Sequence, residues 1–128
     1  MIAIGVGCRK ACERGAIVEL VTRALRQAGD PAGERVLFTI ESKRGELNLE
    51  DAARDLDLPL RFFSHEQLTI AAPCVKTRSA RVERHIGLPS LAETAALAGA
   101  GPGGELIVAR VVADGVTCAI AYRAGPTS

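Results

Sequence analysis

Apolar and polar positions change their period several times along this chain, and each change predicts an element. Ile2–Val6 is a short apolar run ending in glycines, the pattern of a buried strand. From Ala16 the apolar positions recur as Ile17, Leu20, Val21, Ala24, Leu25 and Ala28, one face of a helix that Gly29 ends. Val36–Ile40 predicts a second strand, after which Asn48 is placed to cap a helix with Leu49, Ala52, Ala53 and Leu56 on one face. Leu60–Phe63 predicts a third strand. Ser64-His65-Glu66-Gln67 then has the spacing of a capping box opening another helix. Ser79–Ile86, stopped by Gly87, reads as a single short helix. A second capping box, Ser90-Leu91-Ala92-Glu93, opens an alanine-rich helix to Ala98.

The last third changes character. Leu106–Ala113 and Val116–Tyr122 are β-rich runs separated by Asp114-Gly115, the two-residue signal of a type I′ hairpin. Such a turn pairs Val112 with Thr117 and Arg110 with Ala119. Arg110 and Thr117 then share a sheet face as diagonal neighbours. Strand–helix alternation followed by a hairpin predicts an α/β domain whose sheet begins parallel and ends antiparallel, with helices on its faces. One domain over residues 1–124 with a tail at 125–128 accounts for the whole chain.

Composition narrows the function. The 128 residues are 48% apolar yet include only three Phe, one Tyr and no Trp, so the core is built from Ala, Val, Leu and Ile. Sixteen basic residues against fifteen acidic ones leave a net charge of +1, which argues against a nucleic-acid binder. No apolar run approaches the roughly 20 residues of a membrane span. Met-Ile-Ala-Ile-Gly has neither the basic start nor the long apolar run of a signal peptide. The four cysteines, Cys8, Cys12, Cys74 and Cys118, are then expected as reduced thiols in a cytoplasmic protein.

In open α/β sheets, ligands bind outside the carboxyl ends of the parallel strands. Those ends are followed here by Gly7-Cys8-Arg9-Lys10, by Glu41-Ser42-Lys43-Arg44-Gly45-Glu46 and by Ser64-His65. The first loop lacks the Gly-Lys-Ser/Thr ending of a phosphate loop, and Lys10 stands where a dinucleotide fingerprint has its third glycine. It remains a glycine turn beside two cations, suited to an anion or to plain exposure in solvent. Cys8 and Cys12 are not at redox spacing, and a metal site would need Cys74 and a histidine gathered by the fold; none is predicted. His65, at a helix start beyond a strand end, and Glu41 beside Lys43 are the candidate acid–base groups. Lys76, Arg78, Arg81 and Arg84 form either a solvated face or an arginine-rich docking surface for a polycarboxylate. His85 lies in the same run.

The order "GVGCRK", "TIESK..E", "A..LDLPL", a serine before "HIGLPSLAETAAL", then "ELIVAR" and "VTCAIA" resembles the cobalamin-biosynthesis family formed by CobE and the carboxyl-terminal domain of CbiG. The similarity runs from about Ile2 to Ala121. It implies a three-layer α/β/α domain with a mixed sheet. It also implies a ligand-binding set of Gly5, Gly7, Cys8, Arg9, Thr39, Glu41, Lys43, Glu46, Ser79, Arg110 and Thr117, with Gly87 and Glu93 in the same pattern. Arg110 stands where relatives often have lysine, which keeps the charge and changes the hydrogen-bond geometry.

The implied ligand is a precorrin or corrinoid, an apolar ring carrying acetate and propionate carboxylates. The implied role is carrier or accessory factor, with other enzymes of the pathway as partners and no cofactor. The alternative is a hydrolase that opens a lactone-bearing precorrin with release of acetaldehyde; Glu41, Lys43 and His65 would then be catalytic. A plain interaction subunit of another pathway enzyme is the third class.

Overall fold

The computed structural model describes residues 1–8, 12–71 and 90–124. Among these the elements run β1 (Ile2–Cys8), α1 (Arg14–Gln27), β2 (Arg35–Ile40), a 3-10 turn (Glu41–Lys43), α2 (Leu47–Leu56), β3 (Leu60–Phe63), α3 (His65–Ala71), α4 (Leu91–Ala100), β4 (Glu105–Ala113) and β5 (Val116–Tyr122). The helix predicted over Ser79–Ile86 and the tail from Gly125 lie outside the described residues.

The five strands form one sheet in the order β3-β2-β1-β5-β4. β1 pairs in parallel with β2, and β2 with β3, while β5 runs antiparallel to both β1 and β4. The sheet is therefore mixed, parallel first and antiparallel last. Asp114 and Gly115 both take positive φ, 51° and 79°, as a type I′ turn requires.

Alternation along β1 builds the layers, because successive side chains on a strand leave on opposite faces. Ile2, Ile4 and Val6 pack with Ile17, Leu20 and Val21 of α1 and with Leu49, Ala52 and Ala53 of α2. On the other face Ala3 joins Val36, Phe38 and Ile40 of β2 with Leu68 of α3 and Ala92, Ala95 and Ala96 of α4. The result is an α/β/α sandwich with β1 buried on both sides.

The second face explains the scarcity of aromatic residues. A Cβ on Gly5 would stand 1.9 Å from the Ala92 carbonyl oxygen, and one on Gly99 would stand 2.4 Å from the Phe38 ring. Helix α4 therefore lies on the sheet at a distance only glycine and alanine allow. Phe38 spends its remaining surface stacking on Phe63, with ring centroids 5.2 Å apart.

Several local expectations change. β1 extends two residues past Val6, to Cys8, because β5 pairs with it through Gly7 and Cys8. Helix α2 starts at Leu47 with Glu46 as its cap residue and no side-chain cap. Asn48 instead donates from Nδ2 to the Cys12 carbonyl oxygen at 2.8 Å, tying α2 to the chain that leaves β1. Ser64 and Gln67 do form both halves of their capping box, at 2.8 and 3.2 Å. In the hairpin, Val112 faces Thr117 as expected, but the regular ladder stops at Val111–Cys118 and resumes at Val108–Ile120. Ala109 and Arg110 together oppose Ala119, a β-bulge that sequence spacing cannot reveal.

Candidate functional site

The carboxyl ends of β1, β2 and β3 lie at one end of the sheet, and the β4–β5 turn emerges there too, since Val116 faces Cys8. Helix α4 begins at the same end. A Cβ on Gly7 would stand 3.3 Å from the Leu91 side chain, in the first turn of α4. The positive dipole end of a helix thus joins loops that already carry cations.

At this end Cys8, the last residue of β1, lies under the influence of three residues from the segments after β1 and β2. Burial pushes the Cys8 thiol up from 9.0 to about 12; a hydrogen bond with Cys12 and the charge of Glu46 add to the rise, and nearby Lys43 opposes it. Cys8, Cys12, Lys43 and Glu46 are thereby neighbours, although the sequence spreads them from position 8 to position 46. With that pKa, Cys8 is a protonated, poorly nucleophilic thiol at neutral pH. Among the described residues no three His, Cys, Asp or Glu side chains gather as a metal site.

The other expected residues divide clearly. Thr117 lies beside Gly7 and donates its hydroxyl to the Gly7 carbonyl at 3.3 Å, bracing the end of β1. Gly7 has that hydroxyl 2.6 Å from where its Cβ would be. Gly5 lies deeper, and the backbone that approaches it is that of α4. Thr39 is wholly buried within β2, with its hydroxyl unpartnered among the described residues. Glu41 is exposed in the 3-10 turn and Lys43 is partly buried. His65 is exposed at the start of α3, after the edge strand β3 and two strands away from β1. Arg110 is half-buried on the opposite edge strand, β4. Arg9 and Ser79 lie outside the described residues, as do Gly87 and the basic run from Lys76 to Arg84.

Sequence reasoning undervalued one group. Ser90, Glu93 and Thr94, in and before the first turn of α4, are wholly buried polar residues. Ser90 accepts from the Glu93 N–H at 3.4 Å, the expected half of the capping box. The Glu93 carboxylate also accepts from the Arg110 N–H at 2.9 Å. The signal was present as a charged residue in an alanine-rich helix, but the capping-box spacing gave it a purely local role. A recess of about 320 Å³ lined by Thr22, Leu25, Arg26 and Arg35 lies elsewhere, near the amino-terminal end of β2, and holds none of these residues.

The profile of the family described as cobalamin synthesis G C-terminus matches residues 2–121. The chain belongs to that family. Protein CobE of Sinorhizobium sp. is 30% identical over 121 residues, which are 94% of this chain and 79% of that protein. Among solved structures, CobE, described as a protein from the cobalamin (vitamin B12) biosynthetic pathway, superposes with a TM-score of 0.83 at 31% identity, over 94% of this chain and 89% of that one. The cobalamin biosynthesis protein chiG from Agrobacterium tumefaciens str. C58 gives a TM-score of 0.74 at 33% identity, over 98% and 100% of the two chains. Membership of the cobalamin synthesis G C-terminus family is what the ordered motifs from "GVGCRK" to "VTCAIA" led us to expect, and the α/β fold with its mixed sheet agrees with these neighbours.

Proposed function

We propose that this protein of cobalamin biosynthesis binds a polycarboxylate precorrin or corrinoid at the carboxyl end of its sheet, as a carrier or accessory factor. One observation supports the reading above the others. The loop that contains Lys43, the end of β1, the hairpin turn and the amino terminus of α4 all meet at that end. A ring hung with carboxylates needs several cations and N–H donors spread around an apolar floor, and this end offers them from different elements. Lys43 and Arg110 supply charge in this reading, joined by Arg9. Gly7 and Thr117 keep the floor flat, and Cys8 contributes a neutral, polarizable wall.

The test is a titration of the purified protein with early and late precorrin intermediates, followed by visible absorption and by mass spectrometry of the ligand. The reading predicts a shifted ligand spectrum with an unchanged ligand mass. Acetaldehyde release or a new ligand mass would establish a hydrolase instead, with Glu41→Gln the variant that abolishes turnover while sparing affinity. No spectral change with any intermediate would leave a protein partner as the remaining reading.

A further inference from the structure

Glu93 is a carboxylate with no exposed surface, held in the first turn of α4. An ionised carboxylate is costly to bury, and a glutamine would offer a neutral acceptor at the same place. Its Oε2 accepts a hydrogen bond from the main chain of β4, at the Arg110 N–H, 2.9 Å away. That N–H belongs to a bulge: Ala109 and Arg110 stand against the single residue Ala119, so the ladder to β5 is broken there. Bulges redirect the side chain they carry. The side chain carried here is a half-buried arginine that forms no ion pair among the described residues.

Resting on the corrinoid-binding reading above, we propose that Glu93 is a positioning residue for carboxylate recognition by Arg110. By holding the bulged Arg110 N–H it fixes where the strand bends and the direction in which the guanidinium leaves the sheet. Arginine recognises a carboxylate through a planar, two-point fork, so its direction matters more than that of a lysine. Glu93 therefore acts through Arg110 and touches no ligand itself.

Cobyrinic acid, a corrinoid whose side chains end in free carboxylates, is the probe. Arg110→Ala is expected to weaken its binding about tenfold. Glu93→Ala is expected to match that loss, and Glu93→Ala combined with Arg110→Ala to bind no more weakly than Arg110→Ala alone. Glu93→Gln, which retains an acceptor oxygen, is expected to restore affinity to within about threefold of wild type and serves where Glu93→Ala does not fold. In the 15N spectrum of Glu93→Gln the Arg110 amide signal should stay near its wild-type position. Additive losses in the double variant, or an unchanged affinity in folded Glu93→Ala, would overturn the positioning role alone. Failure of the wild type to bind the probe would overturn both this inference and the binding reading beneath it.

Discussion

A methyl group added at Gly5 would meet the Ala92 carbonyl oxygen at 1.9 Å and the Ala96 nitrogen at 2.7 Å. Both are helix backbone, which cannot rotate away as a side chain would. Gly5→Ala is therefore expected to destabilise the fold by about 3 kcal/mol or more, the upper end of overpacking costs, as a lowered urea midpoint. The thiols make a pH prediction of definite sign. Burial raises Cys118 to about 12, and burial first, then Cys12, raises Cys8 to about 12. Both pKa values lie above their unfolded values, so between pH about 9 and about 12 the folded chain holds protons that the unfolded chain has released. Stability is complete below about pH 9 and falls as pH rises through that window. Urea titrations across it should show the decline, and Cys118→Ala should flatten it; a midpoint that stays level would contradict the burial of these thiols. At this scale the sequence was least informative. The resemblance put Gly5 in a ligand-binding set, and only the path of α4 over β1 shows that its space belongs to a helix.

Helix starts show where local rules suffice and where tertiary contacts override them. Ser64 and Gln67 satisfy each other within four residues, so the capping box was readable from spacing alone. Ser64→Ala should cost about 1 kcal/mol, measurable as a lower thermal midpoint. Asn48 had equally good local credentials for capping α2, yet its amide serves the Cys12 carbonyl 36 residues earlier in the chain. Glu93 keeps its N–H in the local box, while its carboxylate also serves a strand 17 residues further along the chain. The hairpin divides the same way: Asp114-Gly115 announced the turn, while the bulge at Ala109–Arg110, where the Glu93 carboxylate accepts the Arg110 N–H, carries no local signal.

Across the whole molecule, the layering follows from two patterns visible in the sequence. Aliphatic residues alternate with Ala and Gly along β1, and an alanine-rich helix is available to cover the small face. The mixed sheet and its family were legible for that reason. The candidate site was legible only as a location, because strand ends and polar loops can be read in order but not in three dimensions. That Lys43 and Glu46 adjoin Cys8, while His65 starts α3 beyond the far edge strand, follows from β2 lying between β1 and β3. The charge pattern then gives a molecular prediction: Lys43→Ala should weaken carboxylate binding about tenfold in low salt and less at high salt, where exposed charges are screened. The central claim is that this end of the sheet recognises the carboxylates of a corrin ring. It is tested most directly by calorimetric titration of the wild-type protein with cobyrinic acid and, in parallel, with cobinamide, whose ring is the same but whose acid groups are amides. Saturable binding of cobyrinic acid that weakens with salt, and much weaker binding of cobinamide, is the predicted result. Equal binding of the two, or binding of neither, would contradict it.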